Sequence, residues 1–273
     1  MQTRPVTAPD GVQLAVYETG NPAGPEILFL HGFSQSALCW RAQMSDPTLT
    51  ARFRMVAYDI RGHGASDQPD DPAYYAEDAC FAADTQTVLT ALNLKRPVLV
   101  GWSYAGRLIN DYLRGYGSTG LAGINYVCAR ANNDPAFVGP GNTHLAAMTG
   151  HDLEAEITAT IAFLHACFAT PPDAAHMLRM LACNMRVRPA TRLAHLSRPP
   201  DDGAVMAHIT CPVLVTQGSG DQLVLPGLAQ VIAATAPRAT LSIYDGIGHT
   251  PFVEAAARFN AELAAFVITC AAS

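Results

Sequence analysis

Short apolar runs alternate with longer segments of helical periodicity along most of this 273-residue chain. The turn pair Asp10-Gly11 precedes the first run and predicts an opening hairpin. Several later runs are almost continuously apolar, which is typical of strands that are buried on both faces of a sheet. The sequence therefore predicts an α/β fold with a mostly parallel central sheet flanked by helices. The predicted strands lie at 12–17, 26–30, 53–58, 97–100, 123–128, 212–216 and 239–244.

The alternation stops between residues 131 and 208, where only helical patterns remain. Pro171-Pro172 separates two segments with apolar residues at helical spacing, so we expect two helices with a break at the prolines. A helical block inserted between two strands is most simply a cap over one edge of the sheet. We therefore predict a core formed by residues 1–130 and 209–273, with a helical cap formed by residues 131–208.

The bulk composition argues against several function classes. A net charge of −6 provides no basic surface for nucleic acid or for an anionic membrane. Every apolar run is interrupted before it reaches the length of a membrane span, and the first eleven residues lack the apolar core of a secretory signal. Seven cysteines without a CxxC pair are typical of reduced thiols. We expect a cytoplasmic protein with a small-molecule substrate and no nucleic-acid or membrane partner; the sequence is silent on oligomeric state.

The histidines do not form a pattern typical of a metal centre. Six of the nine lie in the predicted cap without HExxH or other paired ligand spacing, so no metal is expected. No GxGxxG dinucleotide motif and no P-loop are present, and no cofactor is expected. The phenylalanine and methionine residues at helical spacing in the cap are expected to form its own core. They are Phe163, Phe168, Met177 and Met180; the six histidines are His144, His151, His165, His176, His195 and His208.

The predicted strand 97–100 runs directly into the sequence Gly101-Trp-Ser-Tyr-Ala-Gly. A serine between small residues at a strand-to-helix turn is typical of a nucleophile elbow. Small residues are needed at Gly101 and Ala105 because the strand and the helix approach closely there. The N-terminus of the following helix also favours negative charge near the turn. We therefore predict Ser103 as a nucleophile, the alternative being a serine that merely caps a helix.

A serine hydroxyl is a weak nucleophile and needs a general base that a third group orients. A turn that carries Asp221 follows the strand 212–216, and a glycine-rich loop that ends at His249 follows the strand 239–244. Both loops leave the carboxyl edge of the sheet, where open α/β sheets bind ligands. We predict His249 as the general base and acid, and Asp221 as the residue that fixes its tautomer. Asp245 is the alternative acid.

The strand 26–30 ends in a His-Gly-Phe sequence that closes at Phe33. An acyl-transfer intermediate needs two N–H donors aimed at its oxyanion. The backbone of Tyr104, directly after the predicted nucleophile, and the backbone of Phe33 are predicted to supply them. The side chains of Phe33, Trp102 and Tyr104 are then predicted to bind substrate. His31 is expected to brace the oxyanion loop.

Four motifs in chain order resemble those of the α/β-hydrolase superfamily along nearly the whole chain. Within it, the chain is most similar to the esterase group that includes the cofactor-free haloperoxidases, or perhydrolases. The resemblance implies the α/β-hydrolase fold, a Ser-Asp-His esterase with a helical cap, and no metal. The segment 61–66, which contains His63, is common to many members and is expected to be structural. The four motifs are His31-Gly32-Phe33, residues 58–66 (YDIRGHGAS), the elbow at Ser103, and Gly248-His249 after Asp221.

The chain departs from that group at two positions. Haloperoxidase-like members often carry proline after the His-Gly-Phe sequence and methionine after the nucleophile, whereas this chain has Ser34 and Tyr104. We therefore expect ester hydrolysis rather than efficient perhydrolysis. Haloalkane dehalogenases and epoxide hydrolases resemble the chain elsewhere but use aspartate at the elbow, so Ser103 argues against those branches.

These observations predict a serine hydrolase that cleaves small to medium carboxylic esters with an apolar acyl or alcohol part. Two alternatives stay open. Hydrolases of carbon–carbon bonds in vinylogous diketones belong to resembling families with the same triad, and usually carry a basic residue over the acid head group. Arg130 and Arg186 are candidates for that residue. The second alternative is a ligand receptor that keeps the triad but turns over slowly.

Overall fold

The computed structural model describes residues 1–272, and their eight strands form one sheet. These are β1 (Gln2–Thr7), β2 (Gln13–Gly20), β3 (Glu26–Leu30), β4 (Arg54–Tyr58), β5 (Val98–Trp102), β6 (Gly123–Val127), β7 (Val213–Gly218) and β8 (Ala239–Tyr244). Their order across the sheet is β1-β2-β4-β3-β5-β6-β7-β8. The pairs β1–β2 and β2–β4 are antiparallel and all others are parallel. The predicted α/β fold with a mostly parallel sheet is confirmed.

The α-helices of the described residues occur mainly between consecutive strands. They are α1 (Arg41–Met44), α2 (Pro47–Arg52), α3 (Asp78–Ala91), α4 (Ala105–Tyr116), α5 (Leu145–Met148), α6 (Leu153–Ala166), α7 (Ala174–Met185), α8 (Pro189–Leu196), α9 (Gly227–Thr235), α10 (Pro251–Glu254) and α11 (Ala256–Ala271). Single 3₁₀ turns lie at Ala37–Trp40, Pro72–Tyr75, Pro135–Phe137, Pro140–His144 and Ala204–His208. No helix within residues 1–272 has the length and apolar composition that a membrane crossing requires.

The centre of the sheet is buried and its last strand is not. Every residue of β5, β6 and β7 is buried, as their apolar sequences predict. In contrast, β8 forms an edge and exposes part of its length. The opening hairpin is also present: β1 pairs with β2 through the turn at Gly11, which has a left-handed φ of +91°.

Two central strands extend further than their apolar runs suggested. β5 continues through Trp102, so Ser103 follows the strand at once, and β7 continues through Gly218. Parallel strands end at the same edge of the sheet, so these extensions bring Ser103 close to the turn that carries Asp221.

The segment of residues 131–208, which we name the cap segment, lies between β6 and β7 and contains α5, α6, α7 and α8. The break predicted at Pro171-Pro172 is present, since α6 ends at Ala166 and α7 begins at Ala174. Arg192 of α8 is completely buried and bonds to Glu156 of α6 at 2.7 Å. The cap segment is therefore joined internally by a buried ion pair as well as by apolar contacts.

Candidate active site

Ser103 lies in the turn between β5 and α4 with a left-handed backbone, at φ +56°. Its N–H donates to the carbonyl oxygen of Val127 at 2.9 Å, and its own carbonyl oxygen accepts from the N–H of Arg130 at 2.8 Å. A Cβ at Gly101 would lie 2.6 Å from Cδ1 of Ile109, which explains the glycine. A left-handed serine is costly, and such conformations cluster at functional sites.

Asp221 and His249 are buried and form a direct pair, with Oδ2 of the aspartate 2.7 Å from Nδ1 of the histidine. The other carboxylate oxygen accepts the N–H groups of Leu223 and Val224 at 2.8 and 3.0 Å. Gln217 Nε2 also donates to Oδ2 at 3.0 Å. Because an ionised carboxylate only accepts, Nδ1 of His249 donates to it and Nε2 is left as an acceptor. This is the tautomer that a general base needs.

The reacting atoms of the predicted base and nucleophile are not engaged elsewhere. Nε2 of His249 is buried without a hydrogen-bond partner within residues 1–272. The hydroxyl of Ser103, in the same described range, is likewise unpaired and faces a cavity. Trp102 donates its indole N–H to the carbonyl oxygen of His249 at 2.8 Å, so the histidine loop lies directly against the elbow.

Asp245, the alternative acid, lies at the surface and not in the buried pair. Asp245 is exposed and its Oδ1 accepts from the hydroxyl of Ser219 at 3.1 Å. The structure instead gives the histidine a buried partner in Asp221.

Cys128 has its thiol close to the aspartate–histidine pair. Ligand atoms of Cys128, Asp221 and His249 lie within 4.8 Å of one another, a spacing that a metal ion could use. Burial raises the pKa of the Cys128 thiol well above its usual value. The carboxylate also has its hydrogen-bonding capacity filled by four donors. Asp221 and His249 therefore form a hydrogen-bonded pair, with the Cys128 thiol beside it.

Two backbone N–H groups belong to residues that line the same cavity as the predicted nucleophile. The N–H groups of Phe33 and Tyr104 have no acceptor in the part of the chain that the structure describes. Both residues line a cavity of about 200 Å³ that Ser103 also lines. Unsatisfied N–H donors next to a nucleophile are what a developing oxyanion requires.

The loop that carries Phe33 is held by its next residue. Ser34 has a left-handed φ of +56°, and its N–H donates to Nε2 of His63 at 3.1 Å. Its hydroxyl accepts from Nε of Arg192, in α8, at 2.9 Å. Proline has a φ near −65° and no N–H, so it could not replace Ser34 in this loop.

Two uncharged histidines support the same loop. His31 donates through Nδ1 to the carbonyl oxygen of Gly32 at 2.8 Å, and its Nε2 accepts the N–H of Ile60 at 3.0 Å. Nδ1 of His63 donates to the carbonyl oxygen of Arg61 at 3.1 Å. Burial lowers the pKa of His31 to about 4 and that of His63 to about 3. Both histidines therefore hold the loop through hydrogen bonds and do not transfer protons near neutral pH.

The cap segment holds the side chain of Tyr104, the second predicted oxyanion donor. The hydroxyl of Tyr104 accepts from Nη1 of Arg198 at 3.0 Å and donates to Nδ1 of His195 at 3.1 Å. Arg198 in turn pairs with the buried Asp111 of α4 at 2.6 Å. Sequence reasoning placed neither Arg198 nor His195 at the site, because no local motif marks them.

Glu254 joins the histidine loop to the cap segment, and sequence reasoning missed it as well. One carboxylate oxygen accepts the N–H groups of Ala169 and Thr170, each at 2.9 Å. The other accepts the N–H of Gly248 at 3.0 Å and the hydroxyl of Thr250 at 3.1 Å. The only signal in the sequence is its place five residues after the predicted base.

The cavity separates the three side chains that were predicted to bind substrate. Phe33 and Tyr104 line it, whereas Trp102 does not, because its indole is buried against the loop that carries His249. Phe163 lines the cavity instead of serving only as cap core. Other lining residues that the sequence did not single out are Asn133, Asn142, Leu145, Leu223 and Val224.

Comparison with known proteins gives a family match over most of the chain. The model described as "Alpha/beta hydrolase family" matches residues 27–262. The chain belongs to this family. The fold class inferred from the motifs is thereby confirmed.

Solved structures similar to this hydrolase include esterases. A candidate aryl esterase from Burkholderia cenocepacia is 34% identical, with a TM-score of 0.95 and full coverage of both chains. The esterase RhEst1 from Rhodococcus sp. ECU1013 is 30% identical, with a TM-score of 0.92, covering 99% of this chain and 100% of its own. Both likenesses extend over the cap segment as well as the core.

Curated relatives match over shorter regions and have other activities. An epoxide hydrolase from Caballeronia sordidicola is 39% identical over 94 residues, which is 34% of this chain and 27% of the relative. The chain covers only 19% to 36% of the length of the first curated relatives that it matches.

Proposed function

We propose that this hydrolase cleaves small to medium carboxylic esters through an acyl-enzyme on Ser103. The observation that carries the proposal is the buried Asp221–His249 pair, whose unpaired Nε2 lies in a loop packed against the elbow. The unused N–H groups of Phe33 and Tyr104 support it. So do the two similar solved structures, which are named as esterases.

Acylation uses each of these groups in turn. Nε2 of His249 takes the hydroxyl proton as Oγ of Ser103 attacks the ester carbonyl. The carbonyl oxygen becomes an oxyanion and accepts the N–H groups of Phe33 and Tyr104, each worth about 2.7–4 kcal/mol of barrier in comparable sites. The imidazolium then gives its proton to the leaving alkoxide. The alcohol departs and the acyl group stays on Oγ.

Deacylation repeats the sequence with water. His249 removes a proton from the water as its oxygen attacks the acyl carbon, and then returns that proton to Oγ of Ser103. The carboxylic acid leaves and the enzyme is restored. Asp221 stays ionised throughout and stabilises the imidazolium.

The test compares p-nitrophenyl acetate and butyrate hydrolysis by the wild-type protein and by Ser103→Ala. We expect kcat to fall by at least about 10⁴-fold in the variant, because no other group forms the acyl-enzyme. Ser45→Ala, at an exposed serine, is the matched control and should keep wild-type activity. Hydrolysis that survives in Ser103→Ala would contradict the proposal.

A carbon–carbon bond hydrolase is the second candidate, and one observation favours it. Arg130 lines the cavity with Ser103, as a residue over an acid head group would. Arg186 instead donates to the carbonyl oxygen of Gly64 at 3.1 Å and does not line the cavity. Turnover of a vinylogous diketone dienoate, followed by loss of its visible absorbance, would support this candidate. Good ester hydrolysis without such turnover would remove it.

A further inference from the structure

Arg130 is a cation without an anionic partner in the cavity. It follows β6, and its backbone N–H bonds to the carbonyl oxygen of Ser103 at 2.8 Å, so its side chain starts next to the nucleophile. Within residues 1–272 its guanidinium makes no hydrogen bond, ion pair or ring contact, and its one electrostatic neighbour is Arg107. A half-buried charge is costly unless a counter-charge compensates for its lost hydration.

Arg107 adds a second positive charge to the same cavity. It is 5% exposed and pairs with Asp78 through Nη2 at 3.1 Å, while its buried Nε has no hydrogen-bond partner among residues 1–272. No aspartate or glutamate of the described residues lines the cavity, and its other polar lining groups are uncharged. The neighbouring acids are already engaged, since Asp78 and Asp111 both pair with Arg198.

This arrangement leaves the charge of Arg130 unfavourably placed in the absence of a ligand. Burial and the charge of Arg107 lower the pKa of Arg130, although a guanidinium stays charged near neutral pH. An anion in the cavity would relieve both effects. A carboxylate is the anion whose two oxygens match the planar fork of a guanidinium.

We propose that Arg130, assisted by Arg107, binds a carboxylate that the ester substrate carries a few bonds from the carbonyl attacked by Ser103. The apolar walls formed by Leu145 and Phe163 suit the short methylene chain between the two groups. The inference rests on the proposed ester hydrolysis and narrows its substrate class from esters in general to anionic esters.

The first experiment measures carboxylate binding to the proposed subsite in the absence of ester hydrolysis. Glutarate, a dicarboxylate of suitable length, is titrated calorimetrically into the Ser103→Ala protein at pH 8. We expect binding that weakens about tenfold or more when Arg130→Gln is added, since a charge-assisted hydrogen bond is lost. Adding Arg238→Gln, at an exposed arginine beside the amino ends of β7 and β8, is the matched control and should leave the affinity unchanged.

The second experiment tests whether the enzyme prefers anionic esters to a neutral ester. The value of kcat/KM is measured for dimethyl glutarate, which is neutral, and for two anionic esters, monomethyl glutarate and 4-acetoxybutanoate. We expect the wild type to prefer one anionic ester by about tenfold or more. Arg130→Gln should abolish that preference, whereas Arg130→Lys should retain part of it because the charge remains. Retention by lysine separates charge recognition from a structural role.

The outcomes distinguish failure of the carboxylate subsite from failure of the proposed ester hydrolysis. Hydrolysis of dimethyl glutarate with no preference for either anionic ester overturns the carboxylate subsite and leaves ester hydrolysis intact. Failure to hydrolyse any of the three esters overturns ester hydrolysis, and the glutarate titration then decides the subsite alone. A preference or an affinity that Arg130→Gln leaves unchanged also overturns the assignment to Arg130.

Discussion

Two serines of the candidate site have a left-handed backbone. Ser103 is the predicted nucleophile, and Ser34 follows Phe33, a predicted oxyanion donor; each serine has a φ of +56°. Such conformations persist in serine only where the surroundings impose them. At Ser103 the constraint comes from Val127 at the end of β6, which accepts its N–H, and from Arg130 after that strand, whose N–H bonds to its carbonyl oxygen. At Ser34 the constraint comes from His63 and Arg192.

Substitution of Ser34 should separate backbone from side-chain effects. Ser34→Pro should lower the free energy of unfolding by about 3 kcal/mol or more, because it loses both the left-handed φ and the N–H donated to His63. Ser34→Gly keeps both and loses only the acceptor for Arg192, so about 1–2 kcal/mol is expected. Urea unfolding measures the free-energy loss of each variant. Equal losses in the two variants would mean that the backbone conformation is not what the site requires.

Helix α8 connects the cap segment to the loops of Phe33 and Tyr104, the two predicted oxyanion donors. Arg192 bonds to the residue after Phe33, and His195, one turn later in the helix, bonds to the hydroxyl of Tyr104. Arg192 also donates to the carbonyl oxygens of Met148 and Asn184, at 2.8 and 2.5 Å. One helix therefore contacts both the other cap helices and the loops of the candidate site.

Removal of Arg192 should expose the cost of an unpaired buried charge. Arg192→Met leaves Glu156 buried without its cation, and we expect a loss of about 3–5 kcal/mol in the free energy of unfolding. Adding Glu156→Gln should recover part of that loss. A double-mutant cycle by urea unfolding gives the coupling. Additive effects of the two substitutions would show that the pair is not coupled.

Across the whole molecule, three buried histidines couple stability to pH. His31, His63 and His195 are uncharged, and burial lowers the pKa of each, that of His195 well below its usual value. Between pH 6.5 and about 4 the unfolded chain therefore binds more protons at these residues than the folded chain. Their contribution to stability is present above pH 6.5 and is lost as the pH falls. Burial raises the pKa of Asp84 and Asp111 to about 6, which opposes this trend below that pH.

A comparison of variants isolates one histidine from these opposing effects. The free energy of unfolding of His63→Gln should depend less steeply on pH between 6 and 4 than that of the wild type. The expected difference is about 1.4 kcal/mol per pH unit, the value for one proton. Urea unfolding at several pH values measures it. His208→Gln, at an exposed histidine, serves as control, and a wild-type slope in His63→Gln would contradict the buried neutral state.

The sequence alone predicted the sheet and the order of the motifs, because each depends on local pattern. Apolar runs mark strands, and the residues after a strand end must lie at the edge of the sheet. Ser103, Asp221 and His249 could therefore be assigned to one edge before any contact was known. The position of Trp102 could not be predicted in this way, since adjacency to the nucleophile does not decide which side of the loop the indole occupies.

Only the tertiary structure decided how the cap segment completes the site. Arg192 and Ser34 are 158 residues apart in sequence and Arg198 and Tyr104 are 94 apart, so no periodicity or motif relates them. The same holds for Arg130, whose significance depends on the absence of a counter-charge in the surrounding described residues. Local sequence patterns determine where a loop of the candidate site begins. Long-range packing determines which charged side chains meet at that loop, because these side chains come from elements that are distant in sequence and adjacent only in the folded chain.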